Sequence, residues 1–296
     1  MIDTVTTRSK LPWSDIGLLT TILFWALNMP IVKTAFTTMD PLAFNTARFL
    51  MVPPLILSIV YLLEKSLHIA RKDWLALTLI GLIGVGGYQY FFVLGLNLTN
   101  SGSAALLAAT TPIWVALRGQ IRGTERLSRI GWAGIIVSFA GVFVILFDGK
   151  AMSNDAIIGD VLILCSAVCW AYYTIAAKAL LKIYTPLRIT ALALSIGAIP
   201  VLLLGARQIT QVEWSGVRLQ DWGSMAYSVI FSITIAYILW YNGVSKVGAT
   251  RTGIYMSLLP ACGVVSAFYI LGDPITTRDL IGTITIVTGL TLARRG

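Results

Sequence analysis

The sequence predicts an all-α polytopic membrane protein: ten transmembrane helices forming two inverted five-helix repeats around a central cavity. Three observations predict it. Of the 296 residues, 57% are hydrophobic and only 12% charged, with a mean hydropathy of +0.82. A soluble chain carries about 25% charged residues, so this one lacks the charge to cover itself with wetted surface. Ten apolar stretches are long enough to cross a bilayer core of about 30 Å, which takes about 20 helical residues. Finally, residues recur at two fixed offsets along the chain.

The spans fall, in order, at Asp15–Phe36, Leu42–Leu63, Trp74–Leu98, Gly102–Ile121, Gly131–Phe147, Ile157–Leu181, Leu187–Ala206, Trp222–Val244, Thr252–Leu271 and Asp279–Ala293. Turn residues such as Met39-Asp40-Pro41, Asn100-Ser101-Gly102 and Gly272-Asp273-Pro274 separate them. The fourth carries Arg118, Gln120 and Arg122 in its second half. The longest connection, between Arg207 and Asp221, leaves no room for a soluble domain. The opening MIDTVTTRSKLPW has no apolar signal core, so no removed segment is expected.

The net charge of +9 gains meaning from its placement. With the N-terminus inside, fourteen basic residues face the cytoplasm: Arg8, Lys10, Lys65, Arg71, Lys72, Arg122, Arg126, Arg129, Lys182, Arg188, Lys246, Arg251, Arg294 and Arg295. Only Lys150, Arg207, Arg218 and Arg278 lie outside. The positive-inside rule then puts both termini in the cytoplasm, and the expected location is the cell inner membrane. A lipid bilayer and a small-molecule substrate are the expected partners, with no nucleic acid, and the chain is expected as a monomer or homodimer.

Trp25-Ala26, Lys33 and Pro41-Leu42 recur 145 positions later as Trp170-Ala171, Lys178 and Pro186-Leu187. Asp73-Trp74, Gly95, Pro112, Gly134 and Gly141 recur 148 positions later as Asp221-Trp222, Gly243, Pro260, Gly282 and Gly289. The domain division is therefore 1–148 for the first repeat, helices 1–5, and 149–296 for the second, helices 6–10. Five spans is an odd number, so the second repeat lies upside down. Secondary transporters are built this way, with the substrate site near the midplane between repeats.

Trp25–Lys33 (WALNMPIVK), Thr46–Phe49 (TARF), Ser101–Pro112 (SGSAALLAATTP), Gly123–Ser128 (GTERLS) and Gly248–Gly253 (GATRTG) resemble the EamA-type branch of the drug/metabolite transporter superfamily. The resemblance runs through essentially the whole chain, in order. It implies a cavity lined by the first, third, fourth, sixth, eighth and ninth helices, with the fifth and tenth packed at one side. It also implies transport of small organic metabolites, often amino acid export. Two departures stand out. Ala116–Arg122 (ALRGQIR) replaces a usually apolar run, and Leu259-Pro260 replaces a common Glu-Pro pair.

Candidate substrate-binding residues are Trp25, Asn28, Tyr88, Gln89, Phe92, Thr111, Trp114, Arg118, Trp170, Tyr173, Tyr237, Trp240, Tyr241 and Tyr255. Many are mid-span aromatics, away from the interfacial belts where Trp and Tyr collect; a buried hydroxyl or indole N–H needs a partner. Helix packing is the plainer reading of each alone. As a set among polar neighbours they describe a pocket. Asn28 stands out as a mid-helix amide.

Four basic residues fall within spans, where charge costs about 2.5–3.5 kcal/mol. Lys33 and Lys178 read as snorkelling anchors, and Arg48 as tied to an internal partner. Arg118 and Arg122 share a helix face. For Arg118 two readings stand: a clamp for an anionic substrate group, or part of the cytoplasmic basic cluster. Pro112 and Pro260, repeat-related, are expected to kink their helices as hinges.

Other motifs lead elsewhere. Gly81–Gly86 lacks the strand and Gly-Lys-Ser/Thr of a nucleotide loop, so it reads as close helix packing. Gly134/Gly141 and Gly282/Gly289 read as a packing seam of the fifth and tenth helices. One histidine, His68, and Cys165, Cys169 and Cys262 make no metal cluster, so neither metal nor cofactor is expected. Asp15, Asp40, Glu64, Asp148, Asp160 and Asp279 all fall near span ends, so a uniporter or exchanger is expected. The expected function is secondary transport by alternating access, exporting amino acids or related amphipathic metabolites. A carrier of anionic metabolites, carboxylates or phosphorylated compounds, is the alternative. A polytopic membrane enzyme would need an acid/base or metal constellation that one histidine and scattered acids do not supply, so the chain is not expected to be an enzyme.

Overall fold

Apolar stretches with no water to satisfy their backbone must close their own hydrogen bonds, and helices do this within one segment. The computed structural model describes residues 13–121, 128–146 and 154–295, and among these there is no strand. In chain order the helices are α1 (Trp13–Ala35), α2 (Pro41–Leu63), α3 (Arg71–Leu98), α4 in two pieces (Ser101–Ala108 and Thr111–Ile121) and α5 (Arg129–Leu146). There follow α6 (Asn154–Leu180), α7 (Pro186–Leu204) with a short helix at Ala206–Thr210 after it, α8 (Leu219–Val247), α9 in two pieces (Ala249–Tyr255 and Leu259–Leu271) and α10 (Thr277–Arg295). Arg8, Lys10, Arg122, Arg126, Asp148, Lys150 and residues 123–127 of the GTERLS stretch lie outside the described residues.

Among the described residues, six helices are long and apolar enough by themselves to cross a membrane: α1, α2, α3, α6, α7 and α8. Arg129–Gly141 in α5 and Leu259–Leu271 in α9 are apolar but shorter. Large apolar side chains such as Leu63, Leu75, Ile136, Leu203, Tyr269 and Ile284 point outward on these helices. A water-soluble surface does not carry so many of them. The chain is a multi-pass membrane protein.

Local chemistry sets the helix starts. Asp40 caps α2 by accepting from the Leu42 and Ala43 amides at 2.9 and 3.1 Å, with Pro41 in the first turn. Thr185, 145 positions on, caps α7 through the Arg188 amide at 3.2 Å, with Pro186 in the same place. A capping side chain satisfies an amide the helix cannot, and proline fits where no donor is needed.

Two features differ from a simple run of α-helices. Residues Ile80–Gly87 of α3 and Ser228–Ile235 of α8 are π-helical, and these segments are related residue for residue by the 148 offset. Secondly, α4 and α9 are interrupted rather than bent through. Pro112 and Pro260 each sit at the second position of the downstream piece, after a turn at Ala109-Thr110 and a 3₁₀ turn at Met256–Leu258. The first turn is where proline has no donor to lose.

Close packing follows the glycines. A Cβ on Gly81 would sit 2.7 Å from Ile196 of α7, and one on Gly84 2.8 Å from Tyr173 of α6. Gly95 takes the Ile163 side chain, and its counterpart Gly243 takes Leu18, the counterpart of Ile163. Along the α5–α10 seam, Ser138 Oγ donates to the Ile286 carbonyl at 3.4 Å, and a Cβ on Gly141 would meet Ile286 Cγ1 at 2.8 Å.

Candidate functional site

α1, α2, α3 and α8 converge on a narrow cleft of about 20 Å³, room for about one water, lined by Trp25, Asn28, Met29, Arg48, Tyr88, Gln89, Phe92, Ser232, Ile233 and Tyr237. A second narrow cleft, also of about 20 Å³, shares Trp25, Met29 and Tyr88 and is lined further by Ala108, Thr111, Ser166, Ala167, Trp170, Met256 and Leu259. The two adjoin at these three shared residues, and residues of both halves of the chain line them.

Trp25 and its counterpart Trp170 face each other edge-on, with centroids 5.0 Å apart. Tyr88 stacks on Phe92 at 5.5 Å, and Trp170 contacts Tyr88 and Tyr237 at 5.0 and 4.9 Å. Such ring pairs contribute about 0.5–1.5 kcal/mol each beyond area burial. The Trp25 indole N–H donates to the Ser232 carbonyl, inside the π segment of α8, at 3.0 Å. A π turn widens the helix and loosens its ladder, which leaves a main-chain acceptor facing the cleft.

The polar floor is built around Arg48, which is 1% exposed. Arg48 Nη1 donates to Ser228 Oγ at 2.5 Å, and Nη2 donates to Asn45 Oδ1 and, at 3.4 Å, to Gln89 Oε1. Gln89 Nε2 in turn donates to the Tyr237 hydroxyl at 3.1 Å. The ring of Phe44 lies 5.1 Å from the Arg48 guanidinium carbon. Arg48 is thus held by side chains of α2, α3 and α8.

The cleft gathers Trp25, Asn28, Tyr88, Gln89, Phe92, Thr111, Trp170 and Tyr237 of the candidate residues. Tyr173, Trp240 and Tyr241 lie behind it, fully buried. Tyr241 stacks on Tyr173 at 4.3 Å and donates to its carbonyl, while Trp240 donates to Thr174 Oγ1, both at 3.1 Å. Trp114 turns toward Phe139 of α5 at 5.7 Å. Tyr255 is half-buried against the core. Arg118 places its guanidinium over the Tyr172 ring at 4.7 Å and lines neither cleft. The repeat-related lysines part company: Lys33 donates to the Thr99 carbonyl, whereas Lys178 is exposed.

Met29, Arg48, Ser166, Met256 and Leu259 also line the space. Met29 lies one turn from Trp25, and Leu259 adjoins Pro260, the spacings that could have pointed to them. Asp15, Asp160, Asp221 and Asp279 lie near helix ends but are buried, with Thr99 donating to Asp160 at 2.5 Å and Thr38 to Asp221 at 2.9 Å.

Comparison with known proteins agrees with this architecture. The model of the EamA-like transporter family matches residues 12–147 and again 157–295. An uncharacterized transporter of Archaeoglobus fulgidus is 29% identical over 279 residues, covering 92% of this chain and 94% of its own. The uncharacterized transporter YyaM of Bacillus subtilis is 27% identical over 228 residues, covering 75% of this chain and 74% of its own. A protein of known crystal structure, 19% identical, superposes with a TM-score of 0.66 over 95% of this chain and 96% of its own, which shows a shared fold. The chain is a membrane transporter and not an enzyme, and it belongs to the EamA-like transporter family.

Proposed function

We propose that this transporter is a ten-span carrier of two inverted repeats, residues 1–148 and 149–296, that exports amino acids or related amphipathic metabolites across the cell inner membrane by alternating access. The cleft between the halves is the observation that carries the reading. Its walls are rings from both halves, Trp25 and Tyr88 from one and Trp170 and Tyr237 from the other. Its floor holds a few polar groups, the composition of a small-metabolite pocket.

Paired contacts support the inverted arrangement. Gly95 against Ile163 and Gly243 against Leu18 are one contact made twice with the halves exchanged. At the start of α3, Asp73 accepts from Tyr184 beyond α6 at 2.7 Å; at the start of α8, Asp221 accepts from Thr38 beyond α1 at 2.9 Å. Exchange of corresponding contacts is what a two-fold relation between the halves produces, and an odd number of spans in each half makes that relation the inverted kind. The positive-inside bias supports cytoplasmic termini.

Purified protein in liposomes loaded with labelled amino acids tests the reading. Exchange of internal label against external unlabelled amino acid is expected without an imposed ion gradient, together with cytoplasmic reactivity of tags at both termini in cells. Flux of other metabolite classes with none for amino acids would overturn the substrate assignment. Termini on opposite sides would overturn the topology.

A further inference from the structure

Resting on that reading, we infer that Arg48 and Asn28 form a subsite for a zwitterion: the Arg48 guanidinium takes the carboxylate of an α-amino acid, and Asn28 Oδ1 takes its ammonium. Arg48 is a buried cation with neutral partners, Asn45, Ser228 and Gln89. Ion pairs are made elsewhere, as between Arg188 and Glu64 and between Arg218 and Asp221. Burying a charge without a counter-charge costs several kcal/mol; the cleft that Arg48 lines is closed down to about 20 Å³, so an anion supplies the counter-charge when alternating access parts its walls.

Two buried polar atoms in the same cleft lack a hydrogen-bond partner, and their polarities are opposite. Arg48 Nε is a donor and Asn28 Oδ1 an acceptor, on residues 1% and 5% exposed. A buried polar atom without a partner costs about 1–3 kcal/mol, so a ligand that satisfies both is favoured over one that satisfies either. Both hydrogens of Arg48 Nη2 are committed to Asn45 and Gln89, so it is the free Nε–H that offers a carboxylate one charge-assisted bond. An amide carbonyl oxygen suits an ammonium, which only donates. The apolar part of the ligand then lies along Trp25 and Tyr88, which line both clefts.

The test uses three probes of one carbon skeleton with the full-length protein in detergent, binding being read from ligand-induced thermal stabilisation. L-leucine has both polar ends, L-leucinamide lacks the carboxylate, and 4-methylpentanoate lacks the ammonium. Wild type is expected to bind leucine at least about tenfold more tightly than either, the scale of one charge-assisted bond. Arg48→Gln should weaken leucine and 4-methylpentanoate by about tenfold and leave leucinamide unchanged. Asn28→Leu should weaken leucine and leucinamide and spare 4-methylpentanoate. If Arg48→Gln does not fold, the wild-type panel and Asn28→Leu decide. Equal binding of leucine and leucinamide by wild type overturns the subsite while leaving amino acid transport standing. Binding of none of the three overturns the subsite and the amino acid reading together.

Discussion

Gln89 Nε2 donates a 3.1 Å hydrogen bond to the Tyr237 hydroxyl, and the two residues are 148 positions apart, the offset that relates one half of the chain to the other. Each residue therefore touches its own counterpart. Trp25 and Trp170, at the 145 offset, do the same through their rings. A residue that meets its counterpart lies where the two copies join, so these pairs mark the junction, and the cleft is built on it.

The Gln89–Tyr237 bond links the junction to Arg48. Tyr237→Phe leaves the buried Gln89 amide without its acceptor and is expected to cost about 1–3 kcal/mol. Gln89→Leu should cost more, because it also removes an Arg48 partner. Thermal melts in detergent check the order: Gln89→Leu no worse than Tyr237→Phe would show that the contact with Arg48 contributes nothing.

The α5–α10 seam gives a prediction of packing. A Cβ on Gly289 would land against the Ser138 side chain and backbone nitrogen and the Gly134 carbonyl, and backbone cannot step aside. Gly289→Ala is expected to destabilise by about 1–3 kcal/mol, with the helix pair parting first. Gly223→Ala is the control, since nothing lies within 4 Å of its Cβ position; there alanine should raise the melting temperature, helix propensity favouring it by about 1 kcal/mol. Equal effects at the two sites would contradict a tight seam.

Much of this architecture was legible in the sequence, for reasons that can be named. Asp40-Pro41 and Thr185-Pro186 announce helix starts because cap and proline chemistry is local. The Gly141 and Gly289 seam is legible because seven residues return a helix to nearly the same face. A mid-span proline predicts a kink at Pro112 and Pro260, whereas the chain breaks just before each proline, which then starts a new helix. The π segments were not legible. IGLIGVGG and SVIFSITI are apolar at nearly every position, so their periodicity does not separate a turn of 3.6 residues from a wider one. Arg48 was legible as a buried cation, but Ser228, its partner, lies 180 positions away.

Arg118 offers a sharp contrast with Arg48. Its guanidinium lies over Tyr172, outside the cleft lining. Arg118→Gln is expected to lose a cation–π contact of about 0.5–2 kcal/mol and to leave the preference for leucine over leucinamide intact. Binding by this variant, measured with the same probes, checks the outcome. Loss of the carboxylate preference would assign the reading of anions to Arg118 instead.

The paired π segments carry the last prediction. Ile83 of α3 and Phe231 of α8 occupy matching positions, 148 apart, and both side chains are exposed on the outer surface. Each wide turn lies just before a cleft-lining residue, Gln89 or Tyr237, and so sets the rotation with which that side chain reaches the junction. A π turn is an α-helix carrying an extra residue; removing one residue lets the ladder close as i to i+4. Deletion of Ile83 therefore shortens an outward face without taking a side chain from the core. The helix should still form, since apolar residues on both sides sustain it. What changes is its freedom to pass between two registers, which is how a packed helix reorients a side chain without breaking its contacts at both ends. The expected outcome is a monodisperse protein that binds leucine within about twofold of wild type, a difference under 1 kcal/mol, but whose exchange in liposomes falls at least about tenfold. Unchanged exchange would mean the wide turn of α3 serves packing against α6 and α7 alone. Binding and exchange falling together would place their role in shaping the cleft rather than in its movement.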